Sequence, residues 1–228
     1  LIKELNANSK ISFKKYFFKR AIKILPPYYV FVFSSLLIIW LTNGPNSIDN
    51  INLISEIFFV QNYIGNIWTH TWSLAVEVHF YLLIPVFISL LINRNNEESK
   101  SVIYLLLSCL ILSFGLRFFE SYPYLNKNLH YFMQSHLRID GFLVGTLCAY
   151  MLSNTNLKQR VLDHKFYYLI VSFMLISPGV LLVGGNFYMN TFGLTIVNLG
   201  FGLWVLLLVD MKKKSDRNFL VKILFTYL

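Results

Sequence analysis

The 228 residues are 56% hydrophobic and only 14% charged, and they carry a net charge of +9 and a mean hydropathy of +0.55. So little polar surface cannot cover a water-soluble globule, which excludes an ordinary soluble enzyme and makes nucleic acid a poor partner for the positive charge. The expected class is all-α: a polytopic integral membrane helical bundle.

Apolar residues gather into runs at 26–41, 72–92, 101–119, 131–152, 166–184 and 191–209. Each approaches the roughly 20 residues that cross a bilayer as an α-helix, which predicts six complete spans. A seventh begins at Phe219 and is cut off at Leu228, and the first residue is Leu1 rather than Met. Truncation at both ends is therefore expected. Sixteen of the 20 basic residues fall in 1–25, 93–100, 153–165 and 210–218, whereas the alternate connections 42–71, 120–130 and 185–190 hold only Lys127. Basic residues in short loops stay in the cytoplasm, so residues 1–25 are expected there, facing anionic lipid heads or an anionic ligand.

In chain order, the first chemistry-bearing stretch is FFKRAIKILPPYY, where Arg20 and Lys23 stand three residues apart at the entrance to the first span. On a helix they share a face, and two readings fit: positive-inside anchoring, or a clamp for phosphates. The connection 42–71 is long and contains the apolar ISEIFFVQNYI at 54–64. Such a segment either lies along the membrane surface or re-enters it.

The stretch HTWSLAVEVHFYLLIPVFISLLI, residues 70–92, carries Glu77 inside an apolar run. A charge in a span costs about 2.5–3.5 kcal/mol on insertion scales, which makes it a functional candidate by default. With Trp72 at the outer interface, Glu77 is expected about 8 Å below it. Ser73, Glu77 and Tyr81 follow i, i+4 spacing and share one face, while His79 points elsewhere. Glu77 either pairs in a polar crevice with Arg117 or Arg138, or serves a ligand. HLRIDGFLVGTLCAY, residues 136–150, places Arg138 and Asp140 at the outer end of a span that continues through Gly141 and Gly145. These two either neutralise each other or leave Arg138 beside Glu77, where it favours the carboxylate.

Cys109 and Cys148 fall in predicted spans as small apolar residues, and no metal-ligand spacing is present. His70, His130, His136 and His164 read as interfacial or solvated residues. Gly184, Gly185, Gly193, Gly200 and Gly202 read as positions of close helix packing.

Taken together, the stretches resemble membrane-bound acyltransferase family 3, which includes O-acetyltransferases of cell-surface polysaccharides. The family's R-x-x-R-I-x-P-x-Y element is similar to Arg20, Lys23, Ile24, Pro26 and Tyr28. Its W-S-L-x-x-E-x-x-F-Y element, the most specific of the three, is similar to Trp72, Ser73, Leu74, Glu77, Phe80 and Tyr81. Its R-x-D-G element is similar to Arg138, Asp140 and Gly141. Lys23 stands where Arg is usual and His79 where Gln is commoner.

The resemblance implies one transmembrane acyltransferase domain over residues 1–228, in a bacterial inner membrane. It implies transfer of an acyl, first of all acetyl, group from cytosolic acyl-CoA to a hydroxyl of a cell-surface or lipid-linked sugar. Acyl-CoA is then the donor substrate, with no bound cofactor or metal, and membrane lipids and the sugar are the other partners. Glu77 and Arg138 become the catalytic candidates. Arg20, Lys23, Trp72, Ser73 and Tyr81 become the substrate-binding ones, and the essential histidine is expected upstream of Leu1. A secondary transporter or flippase would also place Glu77 and arginines inside a bundle. A non-catalytic scaffold leaves the Trp72 to Tyr81 spacing unexplained.

Overall fold

A computed structural model describes residues 12–44, 47–92, 98–121, 133–153, 159, 161, 163–181 and 188–215. No strand occurs among them. Helix α1 (Phe13–Asn43) begins well before the first predicted span and continues through Pro26 and Pro27. Proline is costly inside a soluble helix, but membrane helices tolerate it because neighbouring groups satisfy the freed carbonyls. At 31 residues the helix is roughly 46 Å long. It stops at Gly44, whose φ of 84° suits a residue without Cβ and whose N–H bonds the Trp40 carbonyl at 3.0 Å.

Helix α2 (Asn50–Ile57) starts at Asp49, whose side chain accepts from the Ile51 N–H. It folds back along α1, since the Tyr28 hydroxyl bonds Glu56 and the Tyr29 hydroxyl bonds the Ile57 carbonyl. Tyr28 lies about 22 Å before the end of α1, so segment 54–64 runs beside the middle of that helix. Phe59 follows in the left-handed region, at φ 58°, a strain of about 1–3 kcal/mol held by its surroundings. Its ring sits 4.5 Å from that of Tyr28.

A 3₁₀ turn (Thr69–Thr71) then leads into α3 (Trp72–Ile92). The Phe31 ring meets Trp68 at 5.3 Å and His70 at 5.4 Å. Helix α3 therefore begins level with the middle of α1. This corrects the expectation that Trp72 marks the outer interface: the preceding segment has turned inward before α3 starts.

The remaining elements are α4 (Glu98–Ser121), α5 (Ser135–Arg138), α6 (Asp140–Ser153), α7 (Lys165–Leu181), a π-helical turn (Met189–Gly193) and α8 (Leu194–Ser215). The run 131–152, expected as one span, breaks at Ile139 into α5 and α6. Among the described residues three segments, Phe13–Asn43, Ile103–Glu120 and Met189–Leu208, are long and apolar enough to cross a membrane. Val30, Phe33, Leu37, Ile38 and Leu41 of α1 and Ile111, Leu112 and Phe119 of α4 are exposed, the pattern of a lipid-facing surface. The run beginning at Phe219, and Lys127, His130, Gly184 and Gly185, lie outside the described residues.

Two compact units are formed. One contains α1, α2, α3 and α5, and its apolar core is Tyr28, Val32, Phe59 and Ala75 with Trp68, Leu74 and Val78 against it. The other contains most of α4 with α6, α7 and α8. There a Cβ added at Gly200 would come within 2.8 Å of Ile176, and one at Gly202 within 2.7 Å of Val144. The glycines thus let these helices approach closely, as expected for membrane packing. Cys148 is buried and donates to the Gly202 carbonyl at 3.5 Å, and both cysteines are free thiols.

Candidate active site

In the first unit α1 and α3 enclose a cavity of about 200 Å³. Phe17, Arg20, Ala21, Ile24 and Leu25 line it from α1, and Val78, Tyr81 and Leu82 from α3. Arg20 and Tyr81 supply its polar groups. The Arg20 guanidinium lies 4.4 Å from the centre of the Tyr81 ring and 5.8 Å from that of Tyr16, and its Nη1 is 3.5 Å from the Tyr81 hydroxyl. Such a cation over an aromatic face is attracted by the ring quadrupole.

Glu77 stands one helical turn away on α3, and its carboxyl is near enough to the Tyr81 hydroxyl to act on it electrostatically. Arg20, Tyr81 and Glu77 are thereby brought into one line. This moves Glu77 from its expected place just under the outer interface. It lies about 6 Å along α3 from the level of Arg20, toward the basic end of α1.

The other candidates are placed differently. Lys23 is exposed and off the cavity, so it and Arg20 do not face the same space. Ser73 is exposed and its hydroxyl donates back to the His70 carbonyl at 3.3 Å. The Arg138 guanidinium stacks over the Trp72 ring at 5.3 Å.

Asp140 does not neutralise Arg138. In the second unit Asp140 Oδ2 accepts from Arg117 Nη2 at 2.8 Å, and the same Nη2 donates to Thr195 Oγ1 at 2.8 Å. Arg117 and Asp140 are both buried, and Arg117 is thus committed to Asp140 instead of Glu77. A desolvated guanidinium needs a counter-charge, and Asp140 supplies it at Nη2, while Nε and Nη1 are buried without a partner.

Two polar groupings escaped the sequence reading. The first is Glu56, fully buried, whose carboxylate accepts from the Tyr28 hydroxyl at 2.8 Å, the Thr71 hydroxyl at 3.0 Å and the N–H groups of Ile67 and Trp68 at 3.1 and 3.3 Å. The second joins His79, Ser135 and Asn62: His79 Nδ1 is 2.6 Å from Ser135 Oγ, to which Asn62 Nδ2 donates at 2.8 Å. Beside it Tyr63 stacks on His136, its hydroxyl 3.1 Å from the ring Nδ1. The one available signal was a carboxylate within an apolar loop segment, 54–64. Among the described residues no group of three His, Cys, Asp or Glu side chains is placed to hold a metal ion.

The acyltransferase domain of family 3 matches residues 5–228, nearly the whole chain. This chain belongs to acyltransferase family 3. Within that family its W-S-L-x-x-E element is the start of α3, and its R-x-D-G element is the break between α5 and α6. The chain is similar to the O-acetyltransferases OatA of Staphylococcus aureus strains NCTC 8325 / PS 47, COL and N315. It is 28% identical to each over 176 residues, which cover 71% of this chain and 28% of theirs. It therefore spans less than a third of the length of these relatives. No solved structure matches it.

Proposed function

We propose that this chain carries the membrane core of an O-acyltransferase that moves an acyl group, acetyl in the first instance, from acyl-CoA to a hydroxyl of a cell-surface or lipid-linked sugar. The observation that carries the reading is the cavity walled by Arg20 and Tyr81, with Glu77 one turn behind Tyr81, in a chain of this family. The S. aureus relatives are themselves named O-acetyltransferases.

The cavity is narrow and largely apolar, which suits the slender thioester arm of the donor; the nucleotide end is too large for it and stays outside. Arg20 at its wall, with Lys23 nearby on α1, meets the donor's phosphates from the basic end of that helix. That end is cytoplasmic in this reading, and the protein is a multi-pass protein of a bacterial inner membrane. Glu77 touches the reacting partner and fixes its orientation, while Tyr81 holds the guanidinium in place. Trp72 and Arg138 shape the side from which the sugar enters.

The test is transfer from radiolabelled acetyl-CoA to surface glycan by the full-length protein in membranes. Label in glycan that depends on the protein supports the reading. No transfer from any acyl-CoA refutes it and favours a transporter.

A further inference from the structure

The cluster of His79, Ser135 and Asn62 takes no part in the scheme above. Ser135 Oγ lies 2.6 Å from His79 Nδ1 and accepts from Asn62 Nδ2 at 2.8 Å. Asn62 Nδ2 also donates to the Met133 carbonyl at 3.3 Å, so this amide faces Ser135 purely as a donor. The serine proton must therefore point to another acceptor, and His79 Nδ1 is the one within reach. With the ring proton on Nε2, Nδ1 is free to accept.

Phe59, three residues before Asn62, is held at φ 58°, a conformation that bulky residues adopt rarely and that clusters at functional sites. A serine hydroxyl within hydrogen-bond reach of an imidazole is the pairing of a nucleophile with its base. Of the two lone pairs on Ser135 Oγ, Asn62 occupies one and the other remains for attack. Gln61 Oε1 and Asn62 Oδ1, both buried without a partner, add acceptors suited to hydroxyl groups.

We propose that Ser135 is an acyl-carrying nucleophile with His79 as its base, so that transfer passes through an acyl-serine ester; this rests on the acyltransferase reading. In the first step Ser135 Oγ attacks the carbonyl of an acyl thioester. The O–C bond forms, the C–S bond breaks, and the serine proton travels through His79 to the leaving thiolate. In the second step the sugar hydroxyl attacks the ester and gives its proton to His79, and that proton returns to Ser135 Oγ as the acyl–serine bond breaks. His79 ends each step neutral, and nothing beyond thioester and alcohol is consumed.

Gln is the commoner residue at position 79 in the resemblance described above, and it gives the decisive variant: it keeps hydrogen bonds but cannot relay a proton. Full-length protein in membranes is incubated with radiolabelled acetyl-CoA and acid-quenched; label on protein is mapped to peptides, and transfer to glycan is followed in parallel. The expected result is label on the Ser135 peptide that disappears when acceptor is added. Ser135→Ala should carry no label, and both it and His79→Gln should lower transfer about 100-fold or more. Ser135→Cys, which keeps the size of the site, should instead hold label as a hydroxylamine-labile thioester.

Wild-type transfer by folded Ser135→Ala overturns the acyl-serine and leaves the acyltransferase reading standing. Should Ser135→Ala fail to fold, unlabelled Ser135→Cys with normal transfer overturns it equally. Wild-type protein that neither transfers nor takes up label overturns both.

Discussion

Tyr28 donates its hydroxyl to the Glu56 carboxylate at 2.8 Å, between two buried residues 28 positions apart. Three more donors, from Ile67, Trp68 and Thr71, converge on the other carboxylate oxygen. One side chain thus ties α1 to α2 and to the turn that launches α3. That turn sets the depth at which α3 begins, and hence where Glu77 and Tyr81 meet Arg20. A buried carboxyl group is tolerable here because both of its oxygens accept hydrogen bonds.

Glu56→Ala should leave the Ile67 and Trp68 N–H groups without their acceptor, at about 1–3 kcal/mol each, while the Tyr28 and Thr71 hydroxyls keep the Glu56 and Trp68 carbonyls. A loss of about 2–6 kcal/mol is expected, a large part of a typical stability, and should appear as a sharply lowered Tm in detergent. Glu56→Gln keeps one accepting oxygen and should lose less than half as much.

The Arg117 to Asp140 pair makes a similar prediction for the second unit. Asp140→Ala leaves a buried guanidinium without its counter-charge, and breaking such a pair typically costs about 3–5 kcal/mol. Abundance in membranes and Tm should both fall. A double variant, Arg117→Met with Asp140→Ala, should recover much of the loss, because it removes the charge along with its partner.

The glycines are not equivalent. Gly200→Ala would bring a Cβ within 3.1 Å of the Ser172 carbonyl and 2.8 Å of Ile176, so α7 and α8 must part, at about 1–3 kcal/mol. Gly145→Ala meets nothing within 4 Å and should be neutral or slightly stabilising, since alanine is the better helix former. Parallel thermal melts of the two variants check this contrast.

Arg20→Lys keeps the charge but loses the planar group that stacks on Tyr81. Under the proposed donor role, KM for acetyl-CoA should rise about tenfold, the equivalent of 1.4 kcal/mol, with kcat less affected. A kinetic series over donor concentration separates the two.

Much of this was legible in the sequence, for reasons that vary by residue. The helical class follows from apolar runs alone, and Glu77 stands out because a carboxylate inside such a run is expensive. Tyr81 at i+4 was readable from helical spacing. What periodicity could not supply were pairings between distant positions: Tyr28 with Glu56, Arg117 with Asp140, His79 with Ser135. Nor could it show where a run is interrupted, as at Ile139. The apolar run starts at Pro26, yet α1 passes through Pro26 and Pro27 and begins at Phe13, where the sequence is still basic. The depth of Glu77 was misplaced because it was counted from Trp72, which the inward-turning segment 54–64 had already carried to the middle of α1.

The most direct measurement of the central claim compares wild type with Glu77→Gln in full-length protein, scoring acetyl transfer to glycan beside membrane insertion and abundance. Abolished transfer with insertion and abundance unchanged is the predicted result. Wild-type transfer by the variant, or loss of folded protein in step with loss of activity, would contradict a role for Glu77 at the reacting groups.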